Sequence, residues 1–189
     1  MKDERTGIPP GQAVTADFPV LHVGDIPKFE AGSWRFVVWG EVENPLEFRW
    51  EEFLKLPRRV QRSDFHCVTG WSRLDDEWEG VPARDLVRAA RPKAGAKFAL
   101  VHSIGGYTTN LTLDKLTAED TLLAIKFNGM ELSPEHGFPL RLLVPSKYAY
   151  KSAKWVRGFK LLDVEELGFW ESRGYSNTAE PWRADRHSD

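Results

Sequence analysis

Short runs of β-branched and aromatic residues, separated by proline and glycine, constrain the fold of this 189-residue chain most strongly. The stretches WRFVVWGEV, KFALVHS and PLRLLVP have the composition of buried strands. Residues 81–92 instead combine helical spacing of apolar side chains with a proline near each end. Since such strands outnumber helices and the connections are short, the sequence predicts an α+β fold. We expect a mixed, mainly β core with surrounding helices.

The length and the turn residues also predict how the chain divides. Residues 1–17 are polar and contain proline and glycine, which is typical of an extended N-terminal arm. Residues 18–189 are long enough to bury a substantial core. We therefore expect one domain over residues 18–189, preceded by the arm.

Charge and cysteine content exclude several classes of protein. The formal net charge is −2, which argues against general nucleic-acid binding. A single cysteine excludes an intrachain disulfide framework and a zinc site of several cysteines. The N-terminus lacks the apolar core of a signal peptide, and no apolar run is long enough to span a membrane. The sequence as written therefore predicts a cytoplasmic protein with no membrane segment.

The single cysteine, Cys67, lies in DFHCVTGWS, where a predicted strand gives way to a Thr-Gly turn. A lone cysteine is often only a small buried apolar residue. A turn can instead expose the thiolate as a nucleophile or a metal ligand. Neighbouring side chains in an extended backbone point to opposite faces, so the adjacent His66 is a poor general base for Cys67. This alternation argues against a cysteine hydrolase.

Two further segments contain groups that could bind an anion. Arg141 stands in the otherwise apolar stretch PLRLLVP, and a buried arginine requires an anionic partner such as a phosphate. The segment from Lys151 to Lys154 could present backbone N–H groups and a lysine to an anion, or it could be a solvated basic turn. Together with the thiol, these segments suit a cofactor that carries both a phosphate and a soft metal.

Four motifs, DFHCVTGWS, GGYTTNL, EHGFPLRLLVP and KSAKWVRGF, resemble the molybdopterin-binding domain of the sulfite oxidase family. Their order and spacing match over roughly residues 18–183. The likeness is strongest to small bacterial sulfite-oxidase-like oxidoreductases and more distant to the catalytic subunit of methionine-sulfoxide reductase. The resemblance implies the fold of that family and a molybdenum centre bound by molybdopterin, with Cys67 as the protein's metal ligand. One thiolate is enough because the cofactor supplies the other sulfur atoms.

The resemblance also implies roles for particular residues. His136 and Arg141 match the pair that binds the pterin and its phosphate, and His22 matches a histidine of the early cofactor-binding stretch. Thr109 or Asn110 lies near a pterin-proximal threonine. The segment that binds through its backbone and a lysine corresponds to Ser152, Ala153 and Lys154.

The substrate side departs from the family pattern. Val20 stands where sulfite oxidases have an arginine, and Arg73 is the one cation close after the cysteine. Sulfite is a small dianion that needs positive charge, so an aromatic pocket with Trp71 and Tyr148 or Tyr150 suits a less charged substrate. We expect Trp71 and Arg73 to line the substrate face.

The predicted activity is two-electron oxygen-atom transfer on a small-molecule substrate. It would be either oxidation of an oxyanion or reduction of an S-oxide or N-oxide. Electrons would pass to or from a separate electron-transfer partner. The alternatives are a molybdopterin carrier without turnover and a cysteine hydrolase that uses a distant histidine.

Overall fold

The structure is a computed structural model and describes residues 7–188. Within this range the chain forms two β-sheets, and short helices occupy several of the connections. The strands in chain order are β1 (Ala13–Val14), β2 (Arg35–Gly40), β3 (Leu46–Arg49), β4 (Arg59–His66), β5 (Trp71–Pro82), β6 (Phe98–Ser103), β7 (Thr108–Thr112), β8 (Leu122–Phe127), β9 (Met130–Glu131), β10 (Arg141–Leu143) and β11 (Val156–Leu162). The α-helices are α1 (Trp50–Phe53), α2 (Ala83–Ala90) and α3 (Leu113–Leu116). Four 3-10 helices cover Pro134–His136, Ala149–Lys151, Glu171–Arg173 and Pro181–Arg183.

The first sheet is built around β5, the longest strand. β4 pairs antiparallel with it, and β8 pairs antiparallel with its C-terminal end. β1 pairs parallel with β5 at Trp71 and Ser72, while β9 and β10 pair with β8. Because β4 ends at His66 and β5 begins at Trp71, the turn that contains Cys67 lies at one end of this hairpin.

The second sheet has the strand order β3-β2-β11-β6-β7. β11 lies at its centre, parallel to β2 and antiparallel to β6. Gly158 allows β2 to pack closely here. A Cβ atom at that position would lie 2.2 Å from the Val37 carbonyl oxygen and 2.8 Å from Trp39.

The core follows the alternation of side chains along β8. Leu123 and Ile125 belong to the main cluster, which also takes in residues of the second sheet and of α2. Leu122 and Ala124 point to the opposite face and belong to a second cluster. The other members of that cluster are Phe65, Trp78, Leu132 and Leu143. Partly buried Phe18 and Trp71 pack against the second cluster, which therefore supports the side of the molecule where the Cys67 turn lies.

The predicted α+β architecture is confirmed, and β5 is the element that the strand patterns did not predict. Its middle contains Asp75, Asp76 and Glu77, which have low strand propensity. Asp76 and Glu77 pair with β4 alone, opposite Ser63 and Arg62, while Asp75 stands at a bulge with φ of 55°; β8 joins β5 only from Trp78 onward.

The predicted arm lies partly outside the described residues, because residues 1–6 are not described. The remainder contacts the domain. Residues 13 and 14 form β1, and Ala13 N–H donates to the Gly70 carbonyl oxygen at 2.9 Å. This part of the arm is therefore attached to the Cys67 turn.

Candidate active site

A cavity of about 310 Å³ lies where the Cys67 turn meets the segments 18–23, 136–141 and 149–155. Eight of the eleven predicted site residues line it. These eight are His22, Cys67, Trp71, His136, Arg141, Ser152, Ala153 and Lys154. No Asp or Glu among the described residues lines the cavity, so its charged groups are cationic.

Cys67 is held by a tight turn. Its carbonyl oxygen accepts from Gly70 N–H at 3.0 Å, and its own N–H donates to the Trp71 carbonyl oxygen at 2.8 Å. Gly70 has φ of 103°, which favours glycine. The Sγ atom lies 3.1 Å from Thr69 Oγ1, and the residue is only 6% exposed. The turn thus places the thiol on the cavity wall with little access to bulk solvent.

His66 does not contact the Cys67 sulfur. Its Nδ1 lies 2.8 Å from Ser72 Oγ, and burial lowers its pKa. Among residues 7–188, Thr69 is the hydrogen-bond partner of the Sγ atom. Within the described residues, therefore, no histidine hydrogen-bonds to the Cys67 sulfur as the base of a cysteine hydrolase would.

Trp71 and Arg73 are two residues apart on β5, and both approach the Phe18 ring. Trp71 lines the cavity, whereas Arg73 does not. The Arg73 guanidinium donates to both carboxylate oxygens of Asp76 at 2.7 Å and to the Ala16 carbonyl oxygen. It also lies 5.5 Å from the centre of the Phe18 ring. Because Asp76 pairs with it, Arg73 lies off the cavity wall and holds residues 16–18.

His136 and Arg141 are brought together by the turn between the 3-10 helix and β10. Gly137, with φ of 118°, permits this turn, since a Cβ atom would lie 3.1 Å from Arg141 Cβ and 3.3 Å from Lys154 Cβ. His136 is fully engaged, with Nδ1 2.8 Å from Ser133 Oγ and Nε2 2.9 Å from the Phe18 carbonyl oxygen. Burial lowers its pKa, so we expect a neutral ring that donates from Nε2.

Arg141 is the buried cation of the cavity. It is 5% exposed, and burial lowers its pKa to about 10, while the charge of Cys67 opposes that change. Nη1 donates to the His136 carbonyl oxygen at 2.9 Å, and Nε has no protein partner. No described carboxylate pairs with this guanidinium, which leaves donors for an anion in the cavity.

The two lysines of the basic segment, Lys151 and Lys154, have different surroundings. Lys151 is fully buried and pairs with Glu171 at 2.6 Å. Lys154 lines the cavity, and its Nζ donates to the Glu135 carbonyl oxygen at 2.6 Å and has no carboxylate partner within the described range. Burial, and secondly Arg141, lowers the pKa of Lys154 to about 7. Only Lys154 therefore offers a charge to a ligand.

Ser152 and Ala153 contribute mainly backbone to the cavity. The Ser152 hydroxyl accepts from Val144 N–H at 2.9 Å. The Ala153 carbonyl oxygen accepts from Leu142 N–H at 2.8 Å. The N–H groups of Ala153 and Lys154 donate to no described residue, so they could serve an anion, as the sequence suggested.

Thr109 and Asn110 lie behind the cavity and do not line it. Thr109 Oγ1 donates to Glu171 Oε1 at 2.6 Å, and Asn110 Oδ1 accepts from Lys151 Nζ at 2.7 Å. Both are buried. The structure therefore places them in the network around Lys151, behind the cavity wall.

His22 lies at the cavity edge. Its Nδ1 is 2.8 Å from the Gly24 carbonyl oxygen, and its ring meets Trp155 edge-on at 5.8 Å. The side chain is exposed, and its Nε2 is available to a ligand.

Twelve lining residues were not predicted from the sequence, and six of them are aromatic. Tyr107 Oη donates to the Tyr150 carbonyl oxygen at 2.6 Å, and Tyr150 Oη donates to that of Ser176 at 2.6 Å. Burial raises the pKa of both tyrosines. Of Tyr148 and Tyr150, which were expected as alternatives beside Trp71, Tyr150 lines the cavity and Tyr148 does not. The missed aromatic lining residues are Phe18, Phe65, Tyr107, Trp155, Trp170 and Tyr175. The chain contains eight tryptophans, a high count that was a signal for Trp155 and Trp170.

The arrangement fits an anionic cofactor that carries a soft metal. Arg141 and Lys154 are largely buried cations without carboxylate partners, and they accompany a thiol on one wall. Leaving a buried guanidinium without a counter-ion is costly unless a ligand supplies the charge. Aromatic side chains provide flat apolar surfaces for a ring system.

Comparison with known proteins gives the family. The model of the oxidoreductase molybdopterin-binding domain matches residues 23–170. This chain belongs to that family. This chain is therefore an oxidoreductase of the sulfite oxidase family, as the motifs predicted.

Relatives extend the match over almost the whole chain. An uncharacterized oxidoreductase, YuiH of Bacillus subtilis, is 45% identical over 185 residues, which are 97% of this chain and 93% of that protein. The methionine-sulfoxide reductase catalytic subunit MsrP of Campylobacter jejuni is 32% identical over 162 residues, 77% of this chain. A putative subunit of such a reductase from Azospira oryzae is 28% identical over 88% of this chain. The match to this chain spans 54% of the Campylobacter jejuni subunit and 64% of the Azospira oryzae subunit.

A solved structure shares the fold. The sulfane dehydrogenase SoxCD of Paracoccus pantotrophus superposes with a TM-score of 0.66 at 25% identity. The match covers 74% of this chain and 40% of that one.

No helix among residues 7–188 has both the length and the apolar character of a membrane span.

Proposed function

We propose that the cavity binds molybdenum as Mo-molybdopterin and that Cys67 is the protein's metal ligand. The observation that carries this proposal is the joint placement of the single thiol, Arg141 and Lys154 on one cavity without a carboxylate. Thiolate is a soft ligand suited to such a metal, and a dithiolene cofactor needs only one more sulfur.

The chain's own residues hold and orient the cofactor. Arg141 Nε and Lys154 Nζ would donate to the anionic end of the cofactor, together with the N–H groups of Ala153 and Lys154. His136 fixes the Phe18 segment through its Nε2–H, and His22 closes the edge next to Trp155. Ser152 fixes the β10 side of the cavity through Val144.

When bound, the cofactor supplies two-electron oxygen-atom transfer. The proposed reaction is R₂SO + 2 e⁻ + 2 H⁺ → R₂S + H₂O, with an N-oxide as a related substrate. The electrons come from a separate electron-transfer protein. The surrounding aromatic wall limits access of bulk water to the reacting atoms.

The lining next to Cys67 favours an uncharged S-oxide over sulfite. Val68, Thr69 and Trp71 are uncharged, and Asp76 holds Arg73 away. A sulfite dianion would need a cation at this position. The names of two relatives, which are methionine-sulfoxide reductase subunits, agree with this choice of substrate.

The test is a substrate panel on purified protein whose molybdenum and pterin content has been measured. We expect dimethyl sulfoxide or methionine sulfoxide to oxidise a reduced viologen dye, with no reaction from Cys67→Ser. Sulfite should not reduce an acceptor dye. Sulfite turnover would contradict the substrate proposal. Silence across the panel at full metal occupancy would favour the carrier alternative.

A further inference from the structure

Both ends of the described chain contact the Cys67 turn. Gln12, just before β1, donates from Nε2 to the Cys67 carbonyl oxygen at 3.1 Å. From the opposite end, the Arg186 guanidinium donates to the carbonyl oxygens of Val68 and Gly11. Neither Gln12 nor Arg186 lines the cavity. Their contacts are with the turn and not with a ligand.

The Gln12 amide is oriented by a chain of hydrogen bonds. Ser72 Oγ–H donates to Gln12 Oε1 at 3.1 Å, and Ser72 Oγ lies 2.8 Å from His66 Nδ1. Since the single hydroxyl proton goes to Gln12, His66 Nδ1 must donate to Ser72. The chain therefore runs from His66 through Ser72 to Gln12 and ends on the Cys67 carbonyl oxygen. His66 and Ser72 are 4% and 0% exposed, so water competes little for these bonds.

Backbone hydrogen bonds also hold the Cys67 turn, and we call them, together with the contacts of Gln12 and Arg186, the clamp. Ala13 N–H donates to the Gly70 carbonyl oxygen, and Thr15 N–H donates to that of Ser72, each at 2.9 Å. Gly11 has φ of 69°, and a Cβ atom there would lie 3.1 Å from Arg186 Nη2. Glycine at this position lets the arginine reach the turn.

We infer that Gln12 and Arg186 are positioning residues that fix the Cys67 sulfur in the direction needed to hold the metal. This inference rests on the proposed role of Cys67 as metal ligand. Groups that hydrogen-bond to a ligand-bearing segment commonly determine how firmly that ligand binds. Here two termini, far apart in sequence, restrain a turn that otherwise depends on its own Gly70 to Cys67 bond.

The matched test compares Gln12→Met with Gln61→Met. Gln61 also uses both ends of its amide, away from the turn: Nε2 donates to Ser63 Oγ at 3.0 Å and to the Asp120 carbonyl oxygen at 2.8 Å, and Oε1 accepts from Arg59 Nη2 at 2.7 Å. The first measurement is iodoacetamide alkylation of full-length protein without cofactor, which reports on the single cysteine alone. The second is molybdenum retained by the holoenzyme during dialysis.

We expect Gln12→Met to raise the limiting alkylation rate about two- to tenfold and to lower metal retention by a similar factor, the range for loss of one hydrogen bond. Gln61→Met should change neither. Gln12→Glu separates the two bonds, because a carboxylate still accepts from Ser72 but cannot donate to Cys67. The alkylation rates are compared at high pH, where the thiol is fully ionised, so a change in the thiol pKa does not affect the comparison. Gln12→Glu should match Gln12→Met.

Parent-like behaviour of Gln12→Glu would show that Gln12 only attaches the arm, and it would overturn the inference. So would equal results for the Gln12 and Gln61 variants. Should Gln12→Met fail to fold, Arg186→Met decides, with exposed Arg183→Met as its control. A parent protein without molybdenum would contradict the proposed function, while the alkylation comparison would still decide whether the clamp restrains the turn.

Discussion

Two buried cations, Lys151 and Arg141, lie near the same cavity and are treated in opposite ways. Lys151 is 0% exposed and has a complete set of partners, Glu171 at 2.6 Å and two oxygens of Asn110 at 2.7 and 2.8 Å. Arg141 has one carbonyl partner and an Nε atom with none. The Lys151–Glu171 pair is part of the scaffold. Arg141 has no counter-ion among the described residues, and a ligand can supply one.

This difference separates stability from function. Removing one partner of a buried ion pair is costly, because the other charge is left buried without compensation. A buried cation without a counter-ion lowers the stability of the chain without its ligand, so its presence is explained by binding. The following predictions test whether the two cations differ in this way.

Removing Lys151 should have the largest effect. Lys151→Met leaves Glu171 buried without its partner, and we expect a loss of about 3–5 kcal/mol in the free energy of unfolding. Urea denaturation measures this loss. The double variant Lys151→Met with Glu171→Leu should recover most of it. A single variant as stable as the parent would contradict the scaffold role.

Removing Arg141 should have a smaller and different effect. Arg141→Met should change the stability of the cofactor-free protein by less than about 1 kcal/mol, because it removes a desolvated charge along with one hydrogen bond. Pterin content after purification should fall about ten- to a hundredfold, as expected for loss of charge-assisted hydrogen bonds. Exposed Arg157→Met is the control. Equal pterin content in both variants would exclude the phosphate role.

Lys154 should give the smallest effect, a pH dependence. Its pKa is lowered to about 7, and a bound anion favours the charged form. Cofactor binding above pH 7 therefore requires uptake of a proton. Affinity should fall as pH rises from 7 to 9, by at most about tenfold per pH unit. Lys154→Met should bind more weakly near pH 7 and lose this slope, which can be measured by reconstitution with isolated cofactor. An unchanged slope would contradict the assignment.

The sequence predicted most of the fold and eight of the 21 residues that line the cavity, and the errors have physical causes. Strands rich in β-branched and aromatic residues were found where they occur, as with β6 and β11. β5 was not, because Asp76 and Glu77 are held in the strand only by pairing with β4, and Asp75 stands at a bulge in it. Such pairing depends on tertiary structure, which residue patterns do not contain.

Site residues show the same limit. His136 and Arg141 are close in sequence and were identified together. Arg73 was expected on the substrate face, but its direction depends on Asp76, three residues later. Gln12 and Arg186 contact one turn from the two ends of the chain, and no local pattern indicates such a contact.

The central claim is that the Cys67 sulfur binds the metal. The most direct measurement is the molybdenum and pterin content, with the optical spectrum, of Cys67→Ser beside the parent. We predict that the variant folds, since the side chain's one hydrogen bond is to Thr69, and that it loses molybdenum together with the sulfur-to-metal absorption band. A folded variant with full molybdenum content and an unchanged spectrum would contradict the account.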